Sequence, residues 1–171
     1  MRKPIIRSNV NPLRLPVLFF AGRSVLTFRN PATGGHLTVK ATQAKDKEDR
    51  KKKLPIFFIN VRIQGDGDTG YVFGGTIFND TMRMKPSKHA TPGSQVEKVM
   101  HWLMAMIQKP QTLRDRNVAV LHEGRCCRCA LPLTHPESIN TGFGPDCLKY
   151  VMETTKLSAA DFFEKVETPK T

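Results

Sequence analysis

All four cysteines of the chain stand between residues 126 and 147. Disulfides staple distant segments of secreted domains, and Cys126, Cys127 and Cys129 are too close together for ordinary cross-links of that kind. Cys126-x-x-Cys129 has the spacing of a tetrahedral zinc knuckle. Two intervening residues let both thiolates reach one metal at about 2.3 Å while backbone amides stabilise the sulfurs. Cys147 follows Gly142-Phe143-Gly144-Pro145 at an expected helix N-terminus, where the helix dipole favours the thiolate, and it supplies a third ligand. His122, Cys127 and His135 are the candidates for the fourth. His122 leads, because it ends a strand that feeds the knuckle and lies four residues before Cys126. Cys127 is adjacent to Cys126, and neighbouring side chains diverge. The expected ligand set is therefore His122, Cys126, Cys129 and Cys147, closing all four positions around one structural Zn2+ per chain.

Other chemistry is sparse. No nucleophile-base pair, Walker sequence or dinucleotide fingerprint occurs. Asp66 and Asp68 sit in a glycine-rich turn that lacks the remaining calcium ligands. His101 lies on a helix surface without a second ligand at i+4. No catalytic residue is assigned, and a binding protein is expected rather than an enzyme.

Charge points to the class of partner. The 171 residues carry 27 Lys and Arg against 15 Asp and Glu, a net +12 that favours a polyanion. Eight of these bases and no acid fall in residues 1–45, whereas residues 126–171 carry five bases and six acids. Arg2, Lys3 and Arg7, with Arg50, Lys51, Lys52 and Lys53 of a charged loop, are the expected phosphate contacts. Phe58 and Tyr71 are candidates to stack on unpaired bases. The expected partner is nucleic acid, DNA ahead of RNA, and the alternative is a host protein steered by the same charge. The cysteine segment is expected to serve structure and interaction, with Arg125 and Arg128 at its surface. The longest apolar run, 15–21, is cut by Pro16 and falls far short of a membrane span. Pro4, Pro12 and Pro16 break the helix that a transit peptide needs, so a cytoplasmic location is expected.

The elements that position these residues follow from periodicity. Alternation predicts strands near 25–29, 37–42, 57–63 and 71–78, the last interrupted by Gly74-Gly75, with a short strand at 82–85. Ser94 and Glu97 form a capping box before the helical spacing of Val96, Val99, Met100, Leu103 and Ile107. Asn117 to Leu121 reads as a strand into the knuckle, residues 148–155 as a helix, and Ser158-x-x-Asp161 as a cap for a short final helix. The expected fold is α+β: an antiparallel sheet of four to five strands on one helix, then a small zinc module. The expected division is a basic segment 1–20, a sheet-and-helix domain 21–116, the zinc module 117–157 and a terminal helix and tail 158–171.

His122-Glu123-Gly124-Arg125-Cys126-Cys127-Arg128-Cys129, then Leu131 to Ile139, then Gly142-Phe143-Gly144-Pro145-Asp146-Cys147, resembles a treble-clef-like zinc module of uncharacterised function. That module, H-E-G-R-C-G-R-C-G-R-x-L-T-x-P-E-S-I-x-x-G-x-G-P-x-C, occurs in proteins of bacteriophages and other mobile elements. Cys127 and Ala130 stand where its pattern has glycine, which supports Cys127 as a bystander and His122 as the matching ligand. The resemblance implies a zinc site and a phage-type origin, hence a bacterial host cytoplasm, and nothing catalytic. It is compatible with a nucleic-acid-binding accessory or regulatory protein, or with a small effector acting on a host defence, replication or transcription protein.

Overall fold

A computed structural model of the chain describes residues 8–63 and 70–163. Arg2, Lys3 and Arg7, the turn with Asp66 and Asp68, and the tail from 164 lie outside the described residues. The fold is α+β, with seven antiparallel strands in the order β1-β7-β2-β3-β4-β5-β6. The meander β2 (Arg23–Arg29), β3 (His36–Lys45), β4 (Lys53–Arg62), β5 (Tyr71–Phe78) and β6 (Arg83–Pro86) occupies the stretches where alternation predicts strands. To it are added β7 (Ala119–His122) beside β2, and β1 (Ser8–Val10) beside β7.

One face of the sheet is the core. Leu26, Phe28, Val39, Ala41, Phe57, Ile59, Val61 and Val120 point to it and are buried. Helix α2 (Gln95–Gln108) packs there through Val96, Met100, Leu103 and Ile107, and its Trp102 meets Phe28 edge to face. Ser94 Oγ accepts from the Glu97 N–H, while the Glu97 carboxylate accepts from the Gly93 N–H, one residue earlier than a reciprocal capping box requires.

The strand count exceeds the four to five expected, and the extra strands change what the two ends of the chain do. From Ser8 onward the basic N-terminal segment is structural. Val10, Leu15, Leu18 and Phe19 are completely buried, the last three on the short helix α1 (Leu15–Phe19). The prolines that obscure any period there cap these turns: Pro12 opens a 3-10 turn whose Asn11 side chain accepts from the Leu13 N–H. Strand β7, expected to introduce a separate module, is an interior strand, and β1 pairs with it alone among the described strands. A cut before residue 117 would remove that strand.

The other sheet face carries Arg23, Thr42 and Phe58 in direct register across β2, β3 and β4. On β5 the alternation breaks at a bulge: Ile59 pairs with Gly75, but Asn60 pairs with Phe73. The extra residue turns Phe73 outward beside Phe58. Gly75 sits at φ +149°, and a Cβ there would lie 2.5 Å from the Lys85 carbonyl oxygen, so the bulge requires glycine.

After α2 the chain runs through α3 (Gln111–Asp115), β7 and the cysteine loop to α4 (Pro136–Thr141) and α5 (Pro145–Thr155). A 3-10 turn, Ala159–Phe162, follows with its capping box formed, and its Phe162 is buried edge to face against Phe143. Among the described residues no helix is long and apolar enough to cross a membrane.

Candidate metal centre and its basic rim

The knuckle is built by backbone hydrogen bonds. The Cys126 N–H donates to the Leu131 carbonyl and the Ala130 N–H donates back to the Cys126 carbonyl, folding 126–131 into a tight loop. Ala130 closes it at φ +66°, a left-handed conformation that glycine tolerates and alanine pays for by about 1–2 kcal/mol. The loop is fixed to the sheet: the Arg23 N–H donates to the Cys127 carbonyl at 2.8 Å. Gly22 permits this approach, since a Cβ there would stand 2.9 Å from the Arg128 carbonyl oxygen.

This geometry brings Cys126, Cys129 and Cys147 together, with all three sulfurs within 4.8 Å of one another. Three thiolates tetrahedrally bound at about 2.3 Å would lie roughly 3.8 Å apart, so the cluster fits a metal ion with little adjustment. Cys126 and Cys147 are buried and Cys129 is partly exposed. Burial opposes ionisation of Cys126, yet N–H groups of Gly144, Cys129 and Arg128 draw its pKa below the usual thiol value. Cys147, despite its place in the first turn of α5, is pushed up to about 11. Burial is the main cause, Arg128 opposes it, and the neighbouring Cys126 sulfur adds to it. Of the two shifted sulfurs Cys126 is the more disposed to ionise, and a divalent cation would offset the repulsion among three thiolates.

His122 is not part of the cluster. Its ring is fully buried on the core side of β7, where Nδ1 accepts from the Gly124 N–H at 2.9 Å and Nε2 donates to the Ile139 carbonyl at 2.6 Å. Both nitrogens are consumed in joining the end of β7 to α4. Burial keeps its pKa below the ordinary histidine value, against the raising effect of the Ile139 bond. Cys127 packs against Gly142 on the core side, and burial, then the adjacent Cys126, drives its thiol pKa far upward. His135 is exposed at the N-cap of α4. Among the described residues, three ligands converge, and the four-ligand set expected with His122 is not assembled.

Residues 117–151 match DUF6011, a family of unknown function. The matched segment spans β7, the knuckle, α4 and most of α5. No curated protein and no solved structure matches the chain.

Of the predicted phosphate contacts within the described residues, Arg50, Lys51, Lys52 and Lys53 are exposed on the β3–β4 hairpin. Its tip is ordered by Asp46, whose carboxylate accepts from the Glu48 and Asp49 N–H groups and is thereby held below the usual carboxylate range. Lys53 does more than decorate a loop. It faces Lys45 across the hairpin and lines, with Arg23, Arg128 and Cys129, a cleft of about 250 Å³ at the edge of the thiolate cluster. Its pKa is lowered, mainly by burial and then by Arg128, Lys45 and Arg23, while Cys147 opposes the shift. Arg128 lies over the Tyr150 ring, 4.0 Å from its centroid, and its guanidinium approaches Cys147 Sγ at 3.5 Å.

On the open sheet face Phe58 is 42% exposed and Phe73 38%, with ring centroids 6.3 Å apart. Tyr71 lies beneath Lys40 and Arg62, at 5.6 and 4.8 Å from its ring centroid. Arg62 also pairs with Glu123 at 3.6 Å, so part of its charge is already answered. Phe58 and Tyr71 are the rings expected from the sequence, and Phe73 is an addition to them. The Gly74-Gly75 pair inside a strand was the available signal, since it marks a bulge that re-aims its neighbour.

Proposed function

We propose that the protein is a nucleic-acid-binding accessory protein whose cysteine module holds one structural zinc ion. Zinc is favoured by the donor set, because a Cys-x-x-Cys knuckle with a third thiolate from a helix start suits a soft-tolerant tetrahedral ion. The observation that carries the binding role is the open sheet face, where Phe58 and Phe73 stand uncovered beside the Lys40-Tyr71-Arg62 stack. A solvent-exposed aromatic pair flanked by cations is the arrangement on which unpaired bases stack while phosphates are neutralised. The net +12 supplies the long-range attraction. DNA is the preferred partner, and the resemblance of the module extends the proposal to a phage or mobile-element setting in a bacterial cytoplasm.

Fluorescence anisotropy with a labelled single-stranded oligonucleotide tests the role. Each stacked base contributes about 1–3 kcal/mol, so Phe58→Ala with Phe73→Ala should weaken binding roughly 5- to 150-fold, with the fold intact by circular dichroism. Unchanged affinity would remove the sheet face from the binding surface. The alternative, an acidic protein partner, draws on Leu131, 67% exposed on the knuckle loop. It predicts that Leu131→Asp abolishes capture of the partner without altering oligonucleotide affinity.

A further inference from the structure

We propose that the cleft where the end of the sheet meets the cysteine knuckle is a phosphate-binding site for single-stranded nucleic acid, formed jointly by the two regions. The proposal rests on the nucleic-acid reading above and assigns it a second contact surface.

Four cations from four separate stretches of chain converge there: Arg23, Lys45, Lys53 and Arg128, with no acidic side chain in the lining. The fold places the backbones of all four around the cleft and holds the charged group of one of them. The Arg23 backbone is fastened to the Cys127 carbonyl, and strand pairing sets Lys45 opposite Lys53, so these three exposed side chains start from fixed backbone positions around the cleft. Arg128 is pinned between the Tyr150 ring and Cys147 Sγ. A cation ordered before the ligand arrives, as Arg128 is, loses little entropy when it binds, and the three exposed cations add charge around it. A metal ion on three thiolates leaves that cluster at about −1, so the cleft stays strongly positive with the metal in place.

The shape favours a chain over a small anion. The cleft shares Gln43, Lys53 and Arg128 with a second hollow of about 300 Å³ between α1 and α5, so the two adjoin. Phe20 and Tyr150 line that second part together with Lys53 and Arg128, which puts aromatic surface and cations in one hollow. At its other end, Arg23 stands in register with Thr42 and Phe58, which leads onto the open sheet face. A strand with unpaired bases can use cations and aromatics together, whereas in a duplex the base faces are already stacked.

The test is anisotropy of the zinc-loaded full chain with a labelled single-stranded DNA across a salt series, repeated with the same sequence as a duplex. Lys45→Gln/Lys53→Gln is compared with Lys98→Gln/Lys109→Gln, a pair of exposed cations on and just beyond α2. All four are surface residues, so neither double variant threatens folding. Loss of two phosphate contacts should lower the magnitude of the log-log salt slope by about 1.4 for the cleft pair and leave it unchanged for the α2 pair. Equal effects of the two pairs, or an unchanged slope for the cleft pair, overturn the site while leaving nucleic-acid binding intact. Binding to duplex as tight as to single strand overturns the assigned ligand. Failure of the native chain to bind either form overturns both the site and the reading beneath it.

Discussion

Strands β2 to β5 and helices α1 and α2 lock together through large apolar side chains, among them Phe19, Leu26, Phe57, Ile59 and Met100, all fully buried. Between Gly124 and Gly142, by contrast, Leu133 is the only buried aliphatic or aromatic side chain. The loop is held by backbone hydrogen bonds, by the His122 ring and by three converging sulfurs. The sheet can bury its own apolar surface. The cysteine loop has too little to do so, and its order depends on cross-links and on the sheet to which Gly22 and Arg23 fasten it. A region built this way can present polar and charged side chains densely, as Arg128 and Cys129 do at the cleft, because it owes little of its surface to a core.

Removing two sulfurs is the strongest way to sharpen that contrast. Cys126→Ser with Cys129→Ser should abolish stoichiometric metal binding, measured by native mass spectrometry. With free zinc at about 1,000 times its Kd, the lost linkage is about 4 kcal/mol, or roughly 8–16 °C in Tm for a chain of this size. Hydrogen exchange should locate the loss in residues 124–147 first. Metal retained by the double variant would show that the module is not held as described.

His122 separates the two kinds of cross-link. His122→Ala leaves the Gly124 N–H and Ile139 carbonyl without their partner and opens a cavity, at a cost of about 2–4 kcal/mol in denaturant unfolding. Metal stoichiometry should nevertheless stay at one. The same residue gives a pH signature. Its folded-state pKa is lowered, so the fold favours the neutral ring and the unfolded chain takes up the proton first. Its contribution is complete above the unfolded pKa of about 6.5 and is lost as pH falls from there toward the folded value. In excess zinc, the native chain should lose stability over that window by more than His122→Gln does.

The smallest effect tests the strain at the turn. Ala130→Gly relieves a φ of +66° and should raise stability by about 1 kcal/mol, visible as a higher denaturant midpoint with an unchanged m-value. No gain would mean that the loop pays nothing for its alanine.

How far the sequence revealed this molecule varied with the range of the interaction. Cys126-x-x-Cys129, the cap at Ser94 and the alternation through Phe57, Ile59 and Val61 are local patterns, and each led to the structure found. The partner of His122 was not legible, because the Ile139 carbonyl arrives from a helix 17 residues away and claims the nitrogen that a metal would need. Strand β1 and helix α1 were hidden by Pro12 and Pro16, which interrupt any apolar period while fitting the first turns of short helices. The convergence at the cleft was hidden for a different reason: Lys53 and Arg128 stand out separately in the sequence, but they meet each other and Arg23 and Lys45 only after the strands have paired.

The central claim is that three cysteines hold the metal while His122 serves the fold. Zinc K-edge X-ray absorption on the zinc-loaded full chain tests it most directly. The account predicts three sulfur scatterers at about 2.3 Å and a fourth donor without the multiple-scattering pattern of an imidazole, unchanged in His122→Gln. An imidazole signal in the native chain that disappears in His122→Gln would contradict it.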